Sequence, residues 1–238
     1  VKTASLDDAL ARLGGKTPIL SKLALITTSK EGVLKHRLIL DCRVSGVNDH
    51  ARKTGRIILP TAWDIIHDSL IMHAMLKNDE IIRYMVLDYK DAFYKMPLDE
   101  REVKYLVASH GGSYYAWVRT AQGSINGPSI FGRLAALTNR MSQALADEDH
   151  MRLQLFVDDP LAVIKGTEQQ INRRAARLIL FWLVLGWDLS WHEGQFAAEV
   201  DWIGFHLGHD WEKVEASIKA DFMEELLALT TKLLGVTP

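Results

Sequence analysis

Cysteine is almost absent. Cys42 stands alone among 238 residues, so no disulfide can close within the chain and a disulfide-stapled scaffold is excluded. Surplus charge is missing too. The formal net charge is −2, without the overall excess of Lys and Arg by which nucleic-acid binders are commonly noticed. No long apolar run occurs. The most hydrophobic stretch, Ile179 to Leu185, is far too short to span a bilayer and reads as a buried helix end. There are no internal repeats and no low-complexity tracts, and no signal-peptide pattern opens the chain. These absences point to an intracellular protein with no membrane partner. The start at Val1 and the abrupt stop after an amphipathic stretch read as a segment of something longer.

What is present suffices for one large domain or two lobes around a cleft. Hydrophobic residues make up 48% and charged ones 24%, the usual balance of a globular protein. Charge is unevenly placed. Between Lys30 and Arg56 seven Lys and Arg meet three acids, which marks a basic segment or merely a solvated face.

Periodicity and turn residues suggest the following elements. Leu23–Thr28 and Arg37–Arg43 read as strands joined by a turn at Ser29-Lys30-Glu31-Gly32. Pro60 suits the first position of a helix, and Trp63, Ile66, Leu70 and Ala74 follow at helical spacing. Ile81–Asp88 and Tyr114–Arg119 are strand-like, and Gly127-Pro128 opens a helix through Leu145. Leu153–Val157 and Leu161–Ile164 form the arms of a hairpin. Thr167 with Gln170 makes a capping box for a helix that Gly186 ends. Trp202–Leu207 reads as a strand, and Ile218–Leu234 as a final amphipathic helix. Hairpins mixed with helices that can back one sheet indicate an α+β fold.

Three segments carry chemistry. Phe156-Val157-Asp158-Asp159 sits between the two hairpin arms, so its carboxylates are the polar break in an otherwise apolar unit. Adjacent carboxylates repel unless a cation neutralises them, and magnesium is content with few protein ligands. In Leu87-Asp88-Tyr89-Lys90-Asp91-Ala92-Phe93, Asp88 closes a strand, where metal-binding acids are often presented, whereas Asp91 suits helix capping. Ala121-Gln122-Gly123-Ser124-Ile125-Asn126-Gly127-Pro128 is a loop entering a helix, where glycine permits close backbone approach.

In this order the segments resemble the reverse transcriptase family over nearly the whole chain. Residues 87–98, ending in Pro97-Leu98, look like the family's first catalytic motif. Gln122-Gly123 with Pro128 and Phe131 resembles the second, and Phe156-Val157-Asp158-Asp159 resembles its aromatic-x-Asp-Asp box. Asp201-Trp202-Ile203-Gly204-Phe205-His206-Leu207 is similar to the primer-grip hairpin. Lys30 and Arg37, with Asp41-Cys42-Arg43 and Asn48, are similar to the fingers segment over the incoming triphosphate.

The resemblance implies a right-hand polymerase of fingers and palm, its antiparallel palm sheet backed by helices. Residues 1–80 would be the lead-in and fingers, and 81–210 the palm with a fingers insertion near 99–119. Residues 211–238 would begin a thumb or connecting helix. It also implies an RNA-directed DNA polymerase of a retroelement, using two Mg²⁺ ions (or Mn²⁺), a primed RNA or DNA template, dNTPs and other domains of a longer polyprotein. Asp88, Asp158 and Asp159 would be catalytic and, with the Tyr89 carbonyl, metal-binding. Lys30, Arg37, Asp91, Ala92, Phe93, Gln122 and Gly123 would hold the nucleotide, with Phe93 excluding a ribose 2′-hydroxyl. Trp202, Ile203 and Gly204 would grip the primer.

Three departures stand out: Pro160 where an aliphatic residue is usual, Glu193 where a Lys would align, and Phe156 in place of Tyr. The first two suit a decayed polymerase fold that only binds nucleic acid or a partner, and the intact acids oppose that reading. An RNA-templated RNA polymerase is opposed by Phe93 and by the fingers residues.

Overall fold

The computed structural model describes residues 1–3, 5–30, 33–52 and 55–235, with backbone only at Lys30, Val33 and Lys35. The chain forms two compact units, one of residues 1–57 and 91–134, the other of residues 58–90 and 135–238.

The first unit begins with β1 (Lys2–Thr3) and α1 (Leu6–Arg12), whose cap Ser5 accepts a bond from the Asp8 amide. The long antiparallel ribbon β2 (Leu20–Lys30) and β3 (Val33–Asp41) follows, then the one-turn α2 (Val47–His50). Both strands run longer than the apolar pattern suggested, because backbone pairing continues through the polar residues of the ribbon. Glu31 and Gly32, expected in the connecting turn, lie outside the described residues.

In the second unit α3 (Ala62–Ala74) leads to β4 (Ile81–Val86). Thr61 occupies the cap of α3, its N–H donating to the Asp64 carboxylate at 2.6 Å; Pro60 therefore precedes the helix rather than opening it. Those bonds hold the Asp64 carboxyl below its usual range.

The chain then returns to the first unit with β5 (Val107–His110) and β6 (Ser113–Ala116), completing a sheet of order β1-β6-β5-β2-β3. Sequence pattern missed β5, whose four residues alternate too briefly to register. Buried Leu40, Cys42, Leu106, Ala108 and Ala121 form this unit's core, and burial pushes the Cys42 thiol up.

Helix α4 (Gly127–Gln143) is followed by the hairpin β7 (Met151–Phe156) and β8 (Asp159–Gly166) and by α5 (Glu168–Val184) with the expected capping box. β9 (Gln195–Ala197) completes a four-stranded sheet of order β7-β8-β4-β9. Next come β10 (Glu199–Trp202), β11 (Phe205–His209) and β12 (Val214–Ile218), a three-stranded antiparallel sheet, and α6 (Ala220–Leu234).

The expected strand 202–207 is thus a hairpin: Trp202 pairs with Phe205, and Ile203 and Gly204 both take positive φ, 44° and 88°. A two-residue turn of that hand suits strand twist, but isoleucine rarely adopts it, so the pattern imitated a strand. Ile218, expected in the last helix, ends β12 instead.

Alternation along β4 sends Ile82, Tyr84 and Val86 into a core with Ile65 and Met72 of α3, Leu161 and Val163 of β8, and Trp202 and Leu207. The Tyr84 hydroxyl donates to Ser69 of α3, and Trp182 of α5 donates to Ser142 of α4. The antiparallel four-stranded sheet is thereby backed by helices, an α+β arrangement. Among the described residues no helix is long and apolar enough to cross a membrane.

Candidate active site

The three acids lie at one end of the four-stranded sheet. β4 pairs with β8 from Ile81 opposite Gly166 to Val86 opposite Leu161. Hydrogen bonding continues beyond the strand, since the Leu87 N–H donates to the Pro160 carbonyl (3.2 Å) and the Tyr89 N–H to the Asp158 carbonyl (2.9 Å). Asp88 therefore lies opposite Asp159, between two hydrogen-bonded pairs, which is the closer kind of antiparallel neighbour.

The β7–β8 hairpin closes on the pair Phe156–Asp159, leaving Val157 and Asp158 as its turn. Val157 has φ 56°, a conformation that costs a β-branched residue about 1–3 kcal/mol. Such strain is kept only where surrounding structure enforces it, here by strand pairing on both sides. All three aspartates are half-buried.

Pro160 fits this geometry better than its sequence position suggests. It drives Asp159 toward extended backbone, which β8 requires there anyway. Its cost is one bond: by the alternation of the ladder, the N–H it lacks would face the Leu87 carbonyl.

Tyr89 turns its side chain away from the acids. The ring stacks on Trp187 (4.5 Å between centroids, 18° between planes) and meets Trp182 edge-on, and burial pushes its phenol far up. Only its backbone is available at the sheet end.

On the other edge of the Asp88 segment runs the strap Asp188–Ser190. The Lys90 N–H donates to Asp188, the Ser190 N–H donates to Asp88 at 3.0 Å, and Tyr89 bridges Leu189. The Ser190 hydroxyl donates to Asp88 Oδ2 at 2.5 Å. Nothing in the sequence singled out Ser190, because a lone serine after a helix carries no pattern. Glu193 follows in an exposed 3-10 turn with His192 and Trp191.

A magnesium ion takes one or two carboxylates and fills its remaining positions with water and phosphate oxygens. A strand-end carboxylate beside a two-carboxylate hairpin fits that demand. Among the described residues no three His, Cys, Asp or Glu side chains are gathered into a ready-made cage, so the trio shares a sheet end without forming a closed cluster.

The primer-grip candidates belong to the same unit. Buried Trp202 donates its indole N–H to the Asp159 carbonyl at 3.1 Å. The Gly204 carbonyl accepts from the Lys219 N–H, while Asp201 is bonded by His206 (3.0 Å) and Lys219 (2.9 Å). Burial pushes the Asp201 carboxyl up, but those two partners outweigh it and hold it low.

The nucleotide-site candidates lie in the first unit. Lys30 ends β2 opposite Val33, its side chain outside the described residues, and exposed Arg37 sits on β3 opposite Ile26. Asp91 does not cap with its side chain as expected. It adopts φ 53° and its carbonyl accepts from the Tyr94 N–H, starting a 3-10 turn over Ala92–Lys95. Ala92 is buried, and Phe93 is half-buried against Phe131, 5.2 Å away.

The Gln122–Gly123 loop is pinned to the end of β3. The Leu40 N–H donates to Gln122, the Asn48 amide donates to Gly123 at 3.0 Å, and the Ile125 N–H returns to Asn48. A Cβ on Gly123, at φ 109°, would stand 2.1 Å from the Leu40 carbonyl oxygen. Only glycine fits. Asn48, singled out by resemblance alone, is here the brace of that loop.

Residues 29–207 match the family model of the reverse transcriptase (RNA-dependent DNA polymerase). Curated relatives include the Gag-Pol polyprotein of avian reticuloendotheliosis virus, 27% identical over 190 residues. That match covers 77% of this chain and 15% of the polyprotein. The Gag-Pro-Pol polyprotein of bovine leukemia virus is 28% identical over 133 residues, 47% of this chain and 9% of that one.

Among solved structures, the foamy viral protease-reverse transcriptase in complex with double-stranded DNA superimposes with a TM-score of 0.61 at 17% identity, covering 92% of this chain and 35% of that one. The same viral protein in complex with an RNA/DNA hybrid gives 0.59 at 17% identity, over 93% and 27%. The fold is thus that of a reverse transcriptase. The chain belongs to the reverse transcriptase family, and it spans only a minor part of the length of these relatives.

Proposed function

We propose that this chain is the fingers-and-palm part of a retroelement's RNA-directed DNA polymerase, acting inside the cell as one segment of a longer polyprotein. The observation that carries the reading is the strand register that sets Asp88 opposite Asp159, with Asp158 bonded through its backbone to Tyr89. Residues 1–80 supply the lead-in and fingers, 81–210 the palm with a fingers insertion near 99–119, and 211–238 the beginning of a thumb or a connecting helix.

Asp88, Asp158 and the Tyr89 carbonyl hold two divalent ions, magnesium or manganese, and Asp159 completes the acidic set. Bound there, such ions make a primer 3′-hydroxyl easier to deprotonate and neutralise charge on the triphosphate and the departing pyrophosphate.

The remaining residues bind and orient. Lys30 and Arg37 take the β- and γ-phosphates, Arg37 in the two-pronged manner its guanidinium allows. The backbone N–H groups of Asp91 and Ala92 join them. Phe93 lies beneath the sugar and excludes a ribose 2′-hydroxyl, while Gln122 and Gly123 pack on sugar and base. Trp202, Ile203 and Gly204 direct the primer end.

The deciding experiment supplies a longer protein carrying this chain with primed RNA template, magnesium, and either dNTPs or NTPs. Extension with dNTPs, abolished in Asp158→Asn, is the expected result. Preference for NTPs would make it an RNA polymerase. Silence with both, under conditions where primed template is bound, would make it a decayed fold.

A further inference from the structure

We infer that Ser190 is a positioning residue for Asp88: its hydroxyl fixes one carboxylate oxygen so that the other is presented to a divalent cation. The inference rests on the reading of Asp88 as a metal ligand and adds a residue to it.

The path of the backbone places Ser190 there. On the edge of β4 away from β8, Gln195 pairs with Val86, and Leu189 bridges Tyr89. Two residues lie between Val86 and Tyr89, but five lie between Leu189 and Gln195. Ser190 faces Asp88, and the other four, the 3-10 turn Trp191–Glu193 and Gly194, loop out opposite the single residue Leu87. Gly194 lies close enough to this strand end that a Cβ on it would meet Leu87 Cδ2 at 2.9 Å.

The excursion leaves Ser190 beside Asp88, held by its own N–H on the Asp88 carbonyl (3.0 Å), with only 8% of its surface exposed. From there the hydroxyl reaches Asp88 Oδ2. Asp88 is thus flanked by the acidic hairpin on one side and gripped by the strap on the other.

A hydroxyl donating to an ionised carboxylate makes a short, charge-assisted bond, and this one is at the short end of that range. Turning of the carboxylate about its last torsion is otherwise broad and costs little, so a single bonded oxygen sets where the other points. Outer partners of this kind typically change metal affinity by about 10–100-fold when removed.

The test measures Mn²⁺ affinity of the 238-residue chain, without nucleic acid or nucleotide, from the paramagnetic resonance of unbound Mn²⁺. The wild type, Asp88→Asn, Ser190→Ala and Ser190→Thr are compared, each with its melting temperature. Expected are loss of binding in Asp88→Asn, roughly tenfold weaker binding in Ser190→Ala, and near wild-type affinity in Ser190→Thr, which keeps the hydroxyl.

If Asp88→Asn abolishes binding but Ser190→Ala binds as tightly as wild type, the inference falls and the metal-site reading stands. A Ser190→Ala variant that only melts earlier, with affinity unchanged, overturns it equally. If Ser190→Ala does not fold, Ser190→Thr decides: weakened binding in a folded Thr variant overturns the role of the hydroxyl. Binding indifferent to Asp88→Asn overturns the inference together with the reading beneath it.

Discussion

Trp202 reaches from the β10–β11 hairpin and donates its indole N–H to the carbonyl oxygen of Asp159 at 3.1 Å. The bond joins the segment that resembles a primer grip to the segment that carries the paired acids. Both ends are well supported, since Trp202 is 2% exposed and Asp159 begins a paired strand. A displacement of one hairpin must therefore be felt at the other.

Pro160 lies next to this junction. Pro160→Leu restores an N–H that can reach the Leu87 carbonyl, worth about 1 kcal/mol, while returning some freedom to the unfolded chain. The two effects nearly offset each other. Melting temperature is expected to change by only a few degrees and the DNA synthesis rate by less than about threefold. Revival of a silent protein by Pro160→Leu would instead identify a decayed copy.

Ile203 sits at positive φ in a tight turn. Ile203→Asn supplies a residue that tolerates this conformation but gives up the packing of Ile203 against the core, so the two effects oppose each other and the melting temperature should change by only a few degrees. Primer extension should fall, as the proposed primer-grip role of Ile203 requires.

Gly123 permits no side chain. Gly123→Ala places a methyl group within 2.1 Å of the Leu40 carbonyl oxygen at a backbone angle of 109°. The loop must leave β3 to accommodate it. A loss of roughly 3 kcal/mol or more is expected in denaturant titration, with nucleotide KM raised.

Phe93 has a double burden. Phe93→Val removes part of its packing on Phe131, at a cost of about 1–2 kcal/mol, and opens the space assigned to a 2′-hydroxyl. Ribonucleotide incorporation should rise while dNTP use is largely spared. Unchanged discrimination would make Phe93 a core residue only.

His209 predicts a pH dependence. Desolvation, then the charge of neighbouring His73, lowers its pKa from the ordinary 6.5, and the two rings are hydrogen-bonded at 2.9 Å. The folded state resists protonation and the unfolded state does not. Stability is therefore full above about pH 6.5 and lost as pH falls below it, levelling off beneath the lowered folded value. Thermal unfolding between pH 7.5 and 5 should show this slope, and His209→Gln should reduce it.

Much of the fold was legible because it rests on local signals. The capping box of Thr167 and Gln170, the Gly186 stop, the Gly127-Pro128 helix start and the apolar arms around Asp158-Asp159 are written in neighbouring residues. Short-range chemistry acts there whatever the rest of the chain does. The order of the motifs along the chain likewise carries the family resemblance.

What only the tertiary structure decided depends on residues far apart in sequence. Asp88 acquires its partner 102 positions away, when Ser190 is looped out beside it, and Asn48 becomes the brace of a glycine 75 positions on. Positive φ at Val157 and Ile203 overrules their preference for extended backbone, because the strands they join are already fixed by pairing on either side. Residue type sets what each group can do. Pairing between distant strands, through the register it imposes, decides which groups meet.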